Sequence, residues 1–330
     1  MKAVVWREPL PAADPRALVD AEVQSPAAPG GHDLLVRVEA VSVNPIDTKV
    51  RVQPHKGERI LGWDAAGVVE AVGDAVTLFK RGDEVYYAGS LVRSGSYAQQ
   101  QLVDERIVGR KPKSLDFAAA AALPLTTLTA YEAIVDRLRV PPGKALLVIG
   151  GAGGVGSMAI QIGKELGIKV IATASRPESA RWCKDLGAAH VIDHSKPLRE
   201  GLRANGLEYA DFILNCADTD HYWLEMADAI APQGGICSIV ANLKPLDIQP
   251  LRQKCAWFAW EGMFARSGWQ TPDMIEQHRL LGRVADWIDA GRIRGTMTEQ
   301  LRPISAANLR AAHQKIESHR TIGKIVLGGW

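Results

Sequence analysis

The sequence predicts an α/β protein in two parts, a partly closed β-barrel and a doubly wound parallel sheet. Three observations carry that expectation. Residues 34–43, 66–73 and 81–87 alternate apolar and polar side chains between glycine turns, as short strands of a barrel do. Residues 145–174 then set an apolar strand, a glycine turn, a helix with Met158, Ile162 and Leu166 at helical spacing, and a second apolar strand in unbroken order. Finally, β/α alternation continues to about residue 264, with further strands expected at 190, 211, 236 and 255.

Taken in chain order, the barrel occupies residues 1–123. A helix over 127–137 is stopped by Pro141, Pro142 and Gly143, and opens the second part, residues 124–266. Helices over 274–290 and 306–318 and a terminal strand from Gly323 return to the first part, which therefore also includes 267–330.

The turn reads Gly151, Ala152, Gly153, Gly154, Val155, Gly156, a GxGxxG pattern in its required strand-to-helix context. It implies a dinucleotide pocket. Gly151 is expected to allow the tight turn, Gly153 to let backbone approach a pyrophosphate, and Gly156 to let the helix pack on the strand. Amides at the helix N-terminus would face the phosphates.

Composition narrows the partners. The chain has 330 residues, 47% hydrophobic and 23% charged, long enough for two substantial domains. Its 39 basic and 37 acidic residues are interspersed and leave a net charge of +2, with no footprint for nucleic acid or an anionic membrane. Small molecules are the expected partners. No signal-peptide core follows Met1 and no uninterrupted apolar run reaches a membrane span, so a cytoplasmic location is expected. The four cysteines, Cys183, Cys216, Cys237 and Cys255, share no metal-binding spacing and fit a reducing compartment.

Segments in this order resemble the medium-chain dehydrogenase/reductase family across essentially the whole chain: ValSerValAsnProIleAspThrLys at 41, LeuGlyTrpAspAlaAlaGlyValValGluAlaValGly at 61, PheLysArgGlyAspGluValTyr at 79, AlaAlaAlaLeuProLeuThrThrLeuThrAlaTyr at 120, the glycine turn, and GlyLysIleValLeu at 323. Within the family the chain resembles the quinone oxidoreductase branch, and most closely a group labelled zinc-type alcohol dehydrogenase-like. The resemblance implies a GroES-like catalytic domain beside a Rossmann domain.

It also supplies a test of the label. Zinc members of the family hold a catalytic metal at three positions that match Asn44, Trp63 and Leu125 here. An amide, an indole and an alkyl group do not make the three-ligand open site that catalytic zinc needs. The structural zinc lobe needs four close cysteines, and residues 84–105 contain none. A metal-free site is therefore expected, and without a Lewis acid an acceptor such as a quinone or an α,β-unsaturated carbonyl is favoured over an alcohol. The protein's task is then to hold the hydride donor against the acceptor and exclude water.

By resemblance Asn44, Asp47, Lys49, Trp63 and Thr129 lie near the acceptor cleft. Asn44 before Pro45 reads equally as a turn residue and as a substrate-facing amide. Lys49 is either a solvated surface lysine or a charge-stabilising proton donor. Asp47 is expected to anchor its loop, and Trp63 to fill the vacated metal position or stack on a flat acceptor. Thr129 is a nicotinamide contact or a helix cap.

Cofactor choice turns on the end of the second strand, where NAD selection needs an acid about 20 residues past the glycines. Here stand Ser175 and then Arg176, a neutral hydroxyl and a guanidinium suited to a 2′-phosphate, so NADPH is expected. Arg176 also reads as a residue leading into a helix at Pro177. His194, where the branch often has Tyr, is placed to reach the same phosphate or ribose. The aromatic strand at 255–264 is expected to join two chains into a homodimer, the alternative being burial under the terminal helices. A non-catalytic NADPH-binding or redox-sensing protein, and less readily a zinc-dependent alcohol dehydrogenase, remain open beside the reductase reading.

Overall fold

The computed structural model describes residues 1–330, which divide into two units, Met1–Leu128 with Met263–Trp330, and Thr129–Gly262. The strand and helix pattern of the sequence places these boundaries at 123/124 and 266/267, a few residues away.

In chain order the strands are β1 (Lys2–Trp6), β2 (Val19–Glu22), β3 (Asp33–Ser42), β4 (Arg59–Ile60), β5 (Asp64–Val72), β6 (Glu84–Tyr87), β7 (Gln100–Asp104), β8 (Val108–Arg110), β9 (Ala145–Ile149), β10 (Lys169–Thr173), β11 (His190–Ile192), β12 (Ala210–Asn215), β13 (Ile230–Ser238), β14 (Trp257–Trp260), β15 (Met297–Leu301) and β16 (Lys324–Gly328). The first unit holds a small antiparallel sheet, β2-β1-β4, and a seven-stranded sheet, β15-β16-β3-β5-β6-β8, with β7 also on β3. The long β3 shares its length: Asp33–Arg37 pair with β7, and Ala40–Ser42 with β16. The path ends at β15 and β8, so the barrel is partial and does not close. Val36, Val38, Val41, Ala65, Val85 and Tyr86 are all buried, and because Val85 and Tyr86 are consecutive and point to opposite faces, the sheet is covered on both sides there.

The second unit is one parallel sheet in the order β11-β10-β9-β12-β13-β14. The order reverses between β9 and β12, and ligands of doubly wound sheets bind beyond the strand ends at such a switch point. Leu147, Ile149, Ile171, Ile213, Trp223, Met226 and Ile236 form its core.

Three departures have local causes. The helix expected over 127–137 begins at Pro124, which fits a first helical turn because its missing N–H is not needed there, and passes into a π-helical stretch over Glu132–Arg137. The strand expected over 255–264 is only Trp257–Trp260: Cys255 has a left-handed φ of 48°, and Phe264 begins a helix. The stretch Phe117–Arg137 is long and apolar enough to cross a membrane, but 89% of that window is buried within the protein.

Candidate functional site

In the second unit the glycine turn follows β9. Gly150, one residue before the expected motif start, carries the left-handed φ of 81° that the turn requires. Gly151 serves packing instead, since a Cβ there would lie 2.7 Å from Ala172 Cβ and 3.1 Å from Cys183 Sγ. That corrects the role read for Gly151. A Cβ on Gly156 would meet Gly150 O at 2.3 Å, so the helix Gly154–Glu165 approaches the strand end only because that position has no side chain. At Gly153, the N-cap of this helix, the nearest atom to such a Cβ is Gly150 O at an ordinary 3.5 Å, which leaves its surroundings open. Ala152, Gly154 and Val155 are partly exposed beside it. Gly153 and Gly154 therefore offer a rim without side chains where the helix leaves its first N–H groups unspent, the requirements of an anion site.

Thr173, at the end of β10, ties this turn to the neighbouring strand. Its Oγ1 accepts from Gly150 N at 3.0 Å and lies 3.1 Å from His194 Nδ1. Sequence reasoning gave Thr173 no role, although it immediately precedes the Ala174, Ser175, Arg176 segment on which cofactor choice turned. Ser175 is exposed. Arg176 caps the helix Pro177–Asp185, receives Ser179 Oγ on its backbone, and sets its guanidinium 3.3 Å from Glu178. It thus has the helix-leading role and still carries its charge at the strand end. His194 is half-buried, and burial chiefly holds it below the usual imidazole range; Asp193 opposes this, while Arg176 and His221 add to it.

In the first unit Asn44 caps the helix Pro45–Arg51, and its backbone N–H donates to Asp47 Oδ2 at 2.6 Å. The turn role is therefore present. Both ends of its amide are also engaged: Nδ2 donates to Asp64 Oδ2 at 2.8 Å, and Oδ1 accepts from Lys324 Nζ. Lys324 is 3% exposed and lies 3.1 Å from Asp64 Oδ2 and 3.1 Å from Val43 O. The second Asp64 oxygen accepts from Leu125 N at 2.8 Å. The Lys324 ammonium thus engages the side chain of Asn44, one of the three positions matched to metal ligands. Trp63 is buried, its Nε1 donates to Ser90 O at 3.0 Å, and its ring meets Phe264 edge-on at 6.4 Å. Neither the indole nor the Leu125 side chain has a lone pair for a metal, and the Asn44 oxygen is taken by a cation, so this donor set does not fit zinc. No group of three or more His, Cys, Asp or Glu side chains is arranged to hold a metal.

Asp47 is buried and anchors its surroundings through Asn44 N and Tyr97 Oη, the latter at 3.2 Å. Burial pushes its carboxyl up to about 7, against the pull of those partners and Lys324. Tyr97 Oη also lies 3.3 Å from His313 Nε2, and Arg51 Nε donates to His313 Nδ1 at 3.3 Å. Lys49 is exposed, and Thr129 is buried on the helix Pro124–Tyr131. Asp64 and Lys324 were missed as site residues; the available signal was a lysine inside an otherwise apolar terminal strand, which needs a buried partner.

At the sheet edge, β14 pairs with β13 on one side only. Trp257 lies against Gly235 and is 37% exposed, and Trp260 is 45% exposed and edge-on to Phe258 at 4.8 Å.

Two family models match the chain: the alcohol dehydrogenase GroES-like domain over residues 30–113, and the zinc-binding dehydrogenase model over residues 186–327. A zinc-type alcohol dehydrogenase-like protein of Staphylococcus epidermidis is 42% identical over 306 residues, 91% of each chain. Among solved structures, a candidate zinc-dependent alcohol dehydrogenase of Rhizobium etli is 52% identical with a TM-score of 0.96, covering 100% of this chain and 98% of that one. A quinone oxidoreductase of Pseudomonas syringae is 29% identical with a TM-score of 0.84, covering 99% of each. A mycobacterial protein solved with NADPH is 26% identical with a TM-score of 0.87, covering 99% of this chain and all of that one. With this fold, these domain models and a relative of that identity along nearly its whole length, the chain belongs to the medium-chain dehydrogenase/reductase superfamily, in its quinone oxidoreductase-like branch.

Proposed function

We propose that this chain is a zinc-independent, NADPH-dependent reductase that delivers hydride to a quinone or an α,β-unsaturated carbonyl. The observation that carries the reading is the donor set at the matched metal positions: the Trp63 indole and the Leu125 side chain offer no lone pair, and Asn44 Oδ1 already accepts from Lys324 Nζ, whose charge is paired with Asp64. An acceptor that needs no Lewis acid suits such a site.

NADPH, when bound, supplies the hydride. The Gly153–Gly154 backbone and the helix N-terminus would hold its pyrophosphate, with Gly151 and Gly156 keeping that turn tight against β10 and β9. Arg176 would pair with the 2′-phosphate, with Ser175 presenting no carboxylate to repel it. Thr129 would contact the nicotinamide. Lys49, the exposed cation of the Asn44 loop, would stabilise the developing oxyanion of the acceptor, and Trp63 would give the acceptor site a rigid wall. A mycobacterial relative solved with NADPH and a quinone oxidoreductase of the same fold support the cofactor and acceptor classes. The exposed tryptophans on an unpaired edge strand support a homodimer joined through β14.

NADPH oxidation assayed against 1,4-quinones and enones, with NADH in parallel and the metal content measured on the same protein, tests the reading. Turnover with NADPH and substoichiometric zinc is the expected result. Tight NADPH binding without turnover on any acceptor would mark a binding protein instead. Light scattering that gives the mass of one chain at micromolar concentration would overturn the dimer.

A further inference from the structure

Beyond Arg176, two imidazoles converge on the same end of the sheet. His194 follows β11, and His221 lies in the first turn of the helix Thr219–Ala229, which follows β12. The Tyr222 ring meets both edge-on, 4.6 Å from His221 and 6.5 Å from His194. Arg176 and His221 both act electrostatically on His194.

The acidic groups around this cluster are held by hydrogen bonds and keep their charge, and Asp193 favours the protonated form of His194. Asp193 Oδ1 accepts from Ser195 N and Oγ at 2.9 and 2.8 Å, Asp218 Oδ1 caps the helix through His221 N at 3.1 Å, and Asp220 accepts from Leu243 N and Lys244 N. Glu178 pairs with Arg176. Lys196 lies near Asp193, and Asp218 and Glu225 near Tyr222.

A phosphate monoester carries roughly −1.5 to −2 near neutral pH, and one guanidinium balances about half of that. Imidazoles are the side chains that gain charge in this range. His194 can be satisfied in either state. Neutral, its Nδ1 accepts the Thr173 hydroxyl; protonated, it donates to Thr173 Oγ1, whose two lone pairs can serve both Nδ1–H and Gly150 N–H.

We propose that His194 and His221 form the proton-linked half of the 2′-phosphate site, so that preference for NADPH over NADH strengthens as pH falls through the histidine range. This rests on the NADPH reading above. The phosphate draws a proton onto the pair, and by reciprocity a pair already protonated binds the phosphate more tightly. NADH, with a 2′-hydroxyl, has no such coupling.

Calorimetric titrations with NADPH and NADH between about pH 8.5 and about pH 6.5, in two buffers of different ionisation enthalpy, test this for the unaltered chain and for His194→Gln and His221→Gln. The expected result is proton uptake with NADPH alone and a NADPH preference that grows roughly three- to tenfold toward the acid end, since one proton changes affinity at most tenfold per pH unit. Each variant should keep the Arg176-dependent preference at the alkaline end and lose part of the growth. Protonation of the phosphate itself runs equally in all three proteins, so their difference isolates the imidazoles. A constant NADPH preference, or a slope unchanged in both variants, overturns the proton linkage and leaves the cofactor reading standing. Equal binding of NADPH and NADH at every pH overturns both.

Discussion

Two polar clusters divide the chemistry of this chain. In the first unit Lys324, Asp64, Asn44 and Asp47 are buried and hydrogen-bonded to one another or to backbone; in the second, Arg176 and His194 are half-buried and His221 is exposed, with Arg176 paired to Glu178 at the surface. The first arrangement is rigid because any lost partner leaves a charge in a low-dielectric interior. The second is suited to binding because an incoming anion completes it. A buried, fully paired cation and a partly open polar cluster thus suit opposite parts.

The sharpest way to break this contrast is to remove a buried partner. Lys324→Met leaves the Asp64 carboxylate uncompensated and should cost about 3–5 kcal/mol of stability, measured by urea unfolding of the first unit's transition. Lys324→Met with Asp64→Asn should recover much of that loss, because no unpaired charge remains. Equal loss in the single and double variants would show that packing rather than charge is at stake. Arg176→Ala makes the opposite case. It should change stability by no more than about 0.5 kcal/mol, as a surface substitution does, while weakening NADPH about ten- to a hundredfold and leaving NADH binding unchanged.

The glycine turn divides the same way at closer range. Gly156→Ala forces a Cβ to within 2.3 Å of Gly150 O, and should lower the thermal midpoint as well as cofactor affinity. Gly153→Ala, with its nearest contact at 3.5 Å, should fold as before and lose only dinucleotide affinity, read by NADPH fluorescence titration.

The buried cluster should also give stability a pH dependence. Asp47, raised to about 7 from an ordinary 3.8, retains its proton longer when folded, so its contribution is full below about pH 4 and is lost as pH rises through 7. His313, lowered to about 3 by burial and by Arg51, stays neutral when folded, so its contribution is present above about 6.5 and is lost as pH falls toward 3. Urea midpoints across pH 3–8 should therefore show opposing arms. Asp47→Asn should flatten the arm between 4 and 7, and His313→Gln the arm below 6.5.

What was legible in sequence follows from how local each signal is. The glycine turn and the parallel alternation after residue 145 are readable within a few residues of themselves, whereas the positions of Asn44, Trp63 and Leu125 gain meaning only through resemblance to a family along the whole chain. The Lys324–Asp64 pair is not locally readable, because 260 residues separate its members and only the successive antiparallel pairings of β16 on β3 and of β3 on β5 bring them together. The positive φ at Gly150 was misplaced by one residue because the GxGxxG pattern does not say which glycine turns the chain. The short strands β1, β2 and β4 escaped notice because their alternation is too brief to rise above loop composition. His221 lies about 27 residues from His194, on a helix after another strand, and neither position marks the other until the sheet order is known.

The most direct test of the central claim is steady-state NADPH oxidation by a 1,4-quinone after exhaustive chelation, with zinc quantified on the same preparation. The account predicts full activity with substoichiometric zinc. One zinc per chain, and activity that chelation abolishes and zinc restores, would contradict it.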